Sequence, residues 1–151
     1  MRIHIHEAGG AVPVTHSDVS PETLLRAIID IGLDERVYRV GSSEEIDLDQ
    51  TVVEIFGSEN GHVIRHQARE ITIDVSYTGA TAKLEVTPST RVKTVLAEAI
   101  AALRIDPSSA VDLTLRVPGS DVDLDSTKPI GAYARKGHLA VDLVHIVRPQ
   151  G

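Results

Sequence analysis

The sequence predicts an α+β fold made of two consecutive, similar units. Both halves run through alternating apolar segments and one amphipathic helical stretch in the same order. Short motifs also recur at one offset. Asp47-Leu48-Asp49-Gln50-Thr51 and Asp123-Leu124-Asp125-Ser126-Thr127 lie 76 positions apart, as do Gly61-His62-Val63 and Gly137-His138-Leu139, while Arg39-Val40 returns as Arg116-Val117 one position later than that. A chain of 151 residues has room for two small domains, and this period is longer than a solenoid repeat and suits a domain.

In the first half, residues 2–8 alternate, with Ile3 and Ile5 on one face and Arg2, His4 and His6 on the other. Gly9-Gly10 signals a turn and residues 11–15 a returning strand, with Pro13 at an edge or bulge. Ser20-Pro21-Glu22-Thr23 reads as a helix start, Leu24, Ala27, Ile28 and Ile31 as its apolar face, and Gly32 as its C-cap. A strand at 37–40, a short strand at 46–48, a helical turn at 51–56 and a strand at 62–66 follow.

Gln67-Ala68-Arg69-Glu70 is too short for a free linker, so the two units should be held close. The second unit opens with Ile71, Ile73 and Val75 alternating with polar residues, turns at Thr78-Gly79, and returns through Ala82, Leu84 and Val86. Val92, Val95, Leu96, Ala99, Ile100 and Leu103 are spaced by three and four, the signature of one helical face. Leu113, Leu115 and Val117 mark the next strand, 122–124 a short one, 129–133 a helical turn, and 139–146 a closing strand. The expected boundaries are therefore 1–67 and 71–147, with a tail at 148–151.

Composition narrows the function. The net charge of −7 argues against an electrostatic nucleic-acid binder. Residues 1–69 hold twelve acidic and six basic side chains, and residues 71–151 nine of each, so the units present different surfaces. With no cysteine there are no disulfides, thiolate metal sites or cysteine nucleophile. No apolar run is long enough for a signal segment or a membrane span, and a cytoplasmic setting is expected. Tryptophan is absent and Phe56 is the single phenylalanine, so the cores should be aliphatic.

Candidate sites are few. His4 and His6 share a strand face and could be joined by His16 or His66, but zinc needs three or four convergent ligands, and solvated histidines are the better reading. Asp47/Asp49 and Asp121/Asp123/Asp125 lack the loop of an EF-hand and read as solvated turns. There is no phosphate-binding loop or nucleophile–base arrangement, so neither a cofactor, nor a metal, nor an enzyme activity is expected. The segment Val147-Arg148-Pro149-Gln150-Gly151 has a different character. Pro149 fixes its own φ and favours an extended Arg148, and Gly151 carries no Cβ beside its carboxyl group. Such a segment can enter a narrow enzyme groove.

The element order of each half is that of the β-grasp fold. Thr78-Gly79, Leu84-Glu85-Val86-Thr87-Pro88-Ser89, Asp106-Pro107, Leu115-Arg116-Val117-Pro118-Gly119, Leu124-Asp125 and Tyr133 resemble the corresponding stretches of ubiquitin. This resemblance covers residues 71–151. Residues 1–66 share it through topology and the internal repeat. The whole is similar to the bacterial tandem ubiquitin-like modifiers of anti-phage operons, two tandem ubiquitin-like β-grasp domains in one chain.

The resemblance implies conjugation through Gly151, with Arg148, Pro149 and Gln150 read by partner enzymes. The implied partners are an activating enzyme, a conjugating enzyme, a deubiquitinase-like protease and a target such as a phage structural protein, with no nucleic acid and no membrane. Gln150 departs from ubiquitin's Gly-Gly ending, which implies a dedicated protease. Where ubiquitin has an apolar recognition patch, this chain has Arg116 beside Thr114, Asp142 and Val144, a candidate partner surface of different chemistry. Lys83, Lys93, Lys128 and Lys136, all in the second half, are the candidate sites for chains. A non-covalent tandem adaptor is the alternative. A sulfur carrier fits less well, because such carriers are single small domains.

Overall fold

Two four-stranded sheets with the same strand order form the framework. In the first, β1 (Ile3–Glu7), β2 (Val14–His16), β3 (Arg36–Arg39) and β4 (Gly61–His66) stand in the order β2-β1-β4-β3. In the second, β5 (Ile71–Tyr77), β6 (Ala80–Val86), β7 (Leu113–Arg116) and β8 (His138–His145) stand in the order β6-β5-β8-β7. The first and last strands of each unit run parallel at the centre, and the flanking pairs are antiparallel. These are two tandem ubiquitin-like β-grasp domains of the α+β class. The computed structural model describes residues 1–10 and 12–146.

The second unit follows its sequence closely. Tyr77 pairs with Ala80, which leaves Thr78-Gly79 as a two-residue hairpin loop. Both have positive φ, 42° and 84°, as the turn that matches strand twist requires. Helix α2 (Val92–Ala102) buries Val92, Val95 and Ala99, while Leu96, Ile100 and Leu103 pack at the margin of the same cluster. That cluster includes Ile71, Ile73, Val75, Leu113, Leu115, Leu124, Ile130, Val141 and Leu143. The Tyr133 hydroxyl accepts the Asp125 N–H at 2.9 Å and ties the 3₁₀ turn at Ile130–Tyr133 to the preceding loop.

The first unit corrects the sequence reading at its helix. In place of a helix over 21–31 there is a single 3₁₀ turn, Leu25–Ala27. The buried residues are Leu25 and Ile29, whereas Leu24 and Ile31 are exposed, so the apolar face is rotated by one position from the expected one. Ile28, Ile29 and Ile31 are β-branched and lose χ1 freedom in a helix, and Gly32 follows at once, so propagation beyond one turn gains little. Helix α1 (Val52–Phe56) is present, with Thr51 as N-cap accepting the Glu54 N–H. The core here is Ile3, Ile5, Val19, Leu25, Ile29, Val37, Leu48, Val52, Phe56 and Val63.

Two other expectations change. The short strands at 46–48 and 122–124 are single bridges, Tyr38 with Glu45 and Arg116 with Asp123. The side chains of Asp47 and Asp125 then accept the backbone N–H two residues on, which bends the chain away from the sheet. The returning strand of the first hairpin begins at Val14, past Pro13, while Ala11 lies outside the described residues.

The repeat is real but its register is two positions longer than the matching letters suggest. Asp47 occupies the place of Asp125, since each bends its turn through its carboxylate. Likewise, the Ile46 N–H bonds Val37 O where the Leu124 N–H bonds Leu115 O, and the Tyr38–Glu45 bridge corresponds to Arg116–Asp123. A slip of two leaves every side chain on the same face of a strand, so the apolar pattern gave no warning of it.

The two units meet face to end. On the outer side of the first sheet, Tyr38, His6, Ile64 and His66 are buried, while His4 is half-buried and His62 exposed. A Cβ on Gly131 would stand 2.7 Å from Ile64 Cδ1 of this sheet and 2.9 Å from the carbonyl oxygen of Pro88 in its own unit, so the 3₁₀ turn packs tightly on the Ile64 side chain. His66 Nε2–H donates to Ala134 O at 2.6 Å, while its Nδ1 accepts the Ala68 N–H at 3.0 Å. Both ring nitrogens are thereby used in one neutral tautomer. The Gly41 N–H donates to Ser89 O at 2.8 Å, and the buried Ser89 hydroxyl donates to Ser42 O.

Leu115, 1% exposed, should lose about 2–5 kcal/mol of stability on replacement by alanine, read from urea unfolding. Gly131→Ala should cost about 1–3 kcal/mol, as overpacking between Ile64 of the first unit and Pro88 of the second. A Gly131→Ala protein with the parental unfolding midpoint would show that the units do not meet there.

Candidate functional site

The tail residues Arg148, Pro149, Gln150 and Gly151 lie outside the described residues. The second candidate, the outer face of the second sheet, is described in full. Thr114 stands opposite Val144 and Arg116 opposite Asp142 on adjacent rungs of β7 and β8. Their neighbours in sequence, Leu113, Leu115, Val141 and Leu143, point into the core, so these four point out. All four are half-buried. Arg116 points outward on this face but is paired. Its Nε donates to Asp123 Oδ1 at 2.7 Å, which draws the guanidinium along the edge of the sheet. On β5 the same face carries Thr72, Asp74 and Ser76, and Asp74 pairs with His138 of β8. The surface is thus polar and internally paired, with Val144 as an apolar point within it. Lys83, Lys93 and Lys136 are exposed and Lys128 is half-buried.

The acidic clusters have structural work. Asp47 and Asp125 bend their turns, Asp49 pairs with Arg26, and Asp123 pairs with Arg116. Hydrogen bonds from Arg26, and next its charge, hold the Asp49 carboxyl below the ordinary range. The Thr127 N–H and hydroxyl do the same for Asp125.

The histidines, by contrast, gather. His4 stacks on His62 with ring centroids 4.4 Å apart, and His6 Nε2 lies 3.3 Å from His62 Nδ1. The parallel register of β1 and β4 is responsible, since it sets His4 beside His62 and His6 beside Ile64 on the outer face. Neither His16 nor His66 belongs to this group, and His6 is 4% exposed rather than solvated, because the second unit covers it. Among the described residues no group of three or more histidines and carboxylates has the arrangement to hold a metal ion. Burial, followed by the charges of His62, His4 and Lys128, pushes His6 down to about 4. His62 is also lowered, by burial first and then by His4 and Arg91.

His6 and His62 line a cleft of about 490 Å³ between the units, with Pro13, Val40, Arg91, Lys93, Thr127 and Lys128 completing it. Sequence reasoning did not anticipate this cleft. The alternation of His4, His6, His62 and His66 on two strands was legible, but Arg91 and Lys93 come from the far unit. Among the described residues no helix is long and apolar enough to cross a membrane.

Residues 72–146 match the family model of the BilA ubiquitin-like domain 2. No curated protein matches the chain. The chain is accordingly a ubiquitin-like protein whose second unit is similar to that BilA domain.

His6 should make stability depend on pH. It is neutral when folded but takes up a proton at an ordinary pKa near 6.5 when unfolded. Unfolding therefore binds a proton between these values, and stability should fall as pH drops from about 6.5 towards 4, by roughly 3 kcal/mol from this group. Urea unfolding at pH 7.5 and pH 4.5 should show a smaller difference for His6→Gln than for the parent protein. An equal difference would mean that His6 carries no such linkage.

Proposed function

We propose that this ubiquitin-like protein is a modifier joined covalently to other proteins through Gly151. The observation that carries the reading is the match of residues 72–146 to a BilA ubiquitin-like domain, immediately before the segment with Pro149 and Gly151. Once an activating enzyme is supplied, the chemistry is simple. The Gly151 carboxylate attacks the α-phosphorus of ATP and displaces pyrophosphate. A cysteine thiolate of the enzyme then displaces AMP and forms a thioester. After transfer to a conjugating enzyme, a target amine displaces the thiolate and an amide results. This chain has no cysteine, so every thioester sulfur belongs to a partner.

What the chain contributes is a rigid body and a thin leading segment. Arg148, Pro149 and Gln150 would lie in partner grooves as extended backbone, where main-chain hydrogen bonds supply affinity. The absence of a Cβ on Gly151 leaves its carbonyl open to attack from either side. The polar, paired face around Arg116 and Asp142 would be read by enzymes dedicated to this protein, and Gln150 calls for a protease that does not demand two glycines. A role in anti-phage defence, with a phage structural protein as target, belongs to the same proposal and rests on the resemblance to tandem modifiers.

The test is a comparison of the unaltered protein with its Gly151 deletion in cells carrying the partner enzymes. Higher-mass adducts should form with the first and vanish with the second, while far-ultraviolet circular dichroism and the unfolding midpoint stay the same. A misplacement of about 1 Å at the reacting carbonyl is enough to cost about a hundredfold in rate. If both proteins form the same adducts, or neither forms any while biological activity persists in both, the modifier reading fails and a non-covalent adaptor takes its place.

A further inference from the structure

We propose that the cleft between the two units is a binding site for a small phosphate-bearing anion. Three side-chain cations, Arg91, Lys93 and Lys128, converge there with His6 and His62 in a protein whose net charge is −7. None of the ion pairs among the described residues involves Arg91 or Lys93. Lys128 acts on the Asp125 carboxylate, which also accepts the Thr127 N–H and hydroxyl. Cations at such density repel one another and depress the protonation of the imidazoles beside them. A multiply charged anion removes that repulsion. A guanidinium offers the paired donors that phosphate oxygens match.

A second observation points the same way. His6 Nδ1 is buried and has no hydrogen-bond partner. A buried polar atom left unpaired is costly, and this one belongs to a residue that lines the cleft. Neither the stacking of His4 on His62 nor the His6–His62 approach supplies it with a partner. The cleft's volume, about 490 Å³, falls within the range of small-molecule sites and suits a phosphate or pyrophosphate group with a modest substituent. Its walls come from both units: His6 and His62 from the first, Arg91, Lys93 and Lys128 from the second. An occupant would therefore join the two. The proposal is independent of conjugation through Gly151.

The experiment is a titration of the full chain with inorganic pyrophosphate, followed by the ring resonances of His6 and His62. Sodium chloride at matched ionic strength serves as control. Saturable shifts are expected with pyrophosphate alone, together with a higher thermal midpoint. Lys93→Gln, an exposed position that should leave the fold intact, is expected to weaken binding at least threefold, and Arg91→Gln with Lys93→Gln at least tenfold. Absent or non-saturating shifts, equal shifts with chloride, or affinity unchanged in Lys93→Gln would overturn the proposal. Saturation by zinc chloride in place of pyrophosphate would overturn it too, by assigning the histidine wall to a metal.

Discussion

The fold depends on the approach of one 3₁₀ turn to one sheet. At Gly131 the second unit lies against Ile64 of the first, with Pro88 of its own unit alongside, and there is no room for a methyl group. Backbone and side-chain bonds surround that point: His66 to Ala134 O, Gly41 to Ser89 O, and Ser89 to Ser42 O. Each satisfies a polar group that the contact would otherwise strand away from water, where an unmade bond costs more than a made one returns. The interface is therefore specific as well as tight.

This contact explains how the first unit can lack the long helix of its fold. A small domain buries too little surface to tolerate much loss of core. Here the helix is reduced to the turn Leu25–Ala27, and the cover it would give falls to Val19, Leu25, Ile29, Leu48, Val52 and Phe56. The missing burial is made up on the opposite side, where His6, Tyr38, Ile64 and His66 are shielded by the second unit. The outer face of the first sheet is consequently covered at His6, Tyr38, Ile64 and His66, with His62 left exposed.

The same arrangement sets the electrostatics. Closing the units over His6 takes an imidazole out of water, and the charges of His62, His4 and Lys128 add to that burial in favouring its neutral form. Part of the acidity of the first half is taken up in ion pairs, as in Arg26–Asp49 and Arg65–Glu7.

Sequence alone determined what depends on short-range periodicity. The strands alternate with a period of two, α2 shows its spacing of three and four, Thr78-Gly79 can adopt two positive φ angles, and the duplication repeats its Asx turns. These patterns gave the α+β class and the two-unit plan, and the likeness of residues 71–151 to ubiquitin gave the fold's name. Three matters were decided by tertiary structure. The segment 24–31 has apolar residues at helical spacing, yet its β-branched isoleucines and early glycine leave a single turn, and only the core shows that Leu25 and Ile29 face inward. The repeat register could slip by two because a strand looks the same after such a slip. His6 looked solvated because alternation says which face a side chain takes and nothing about what covers that face. The cover, and with it the cleft shared by His6, His62, Arg91 and Lys93, comes from residues far away in sequence, and no local pattern encodes that meeting.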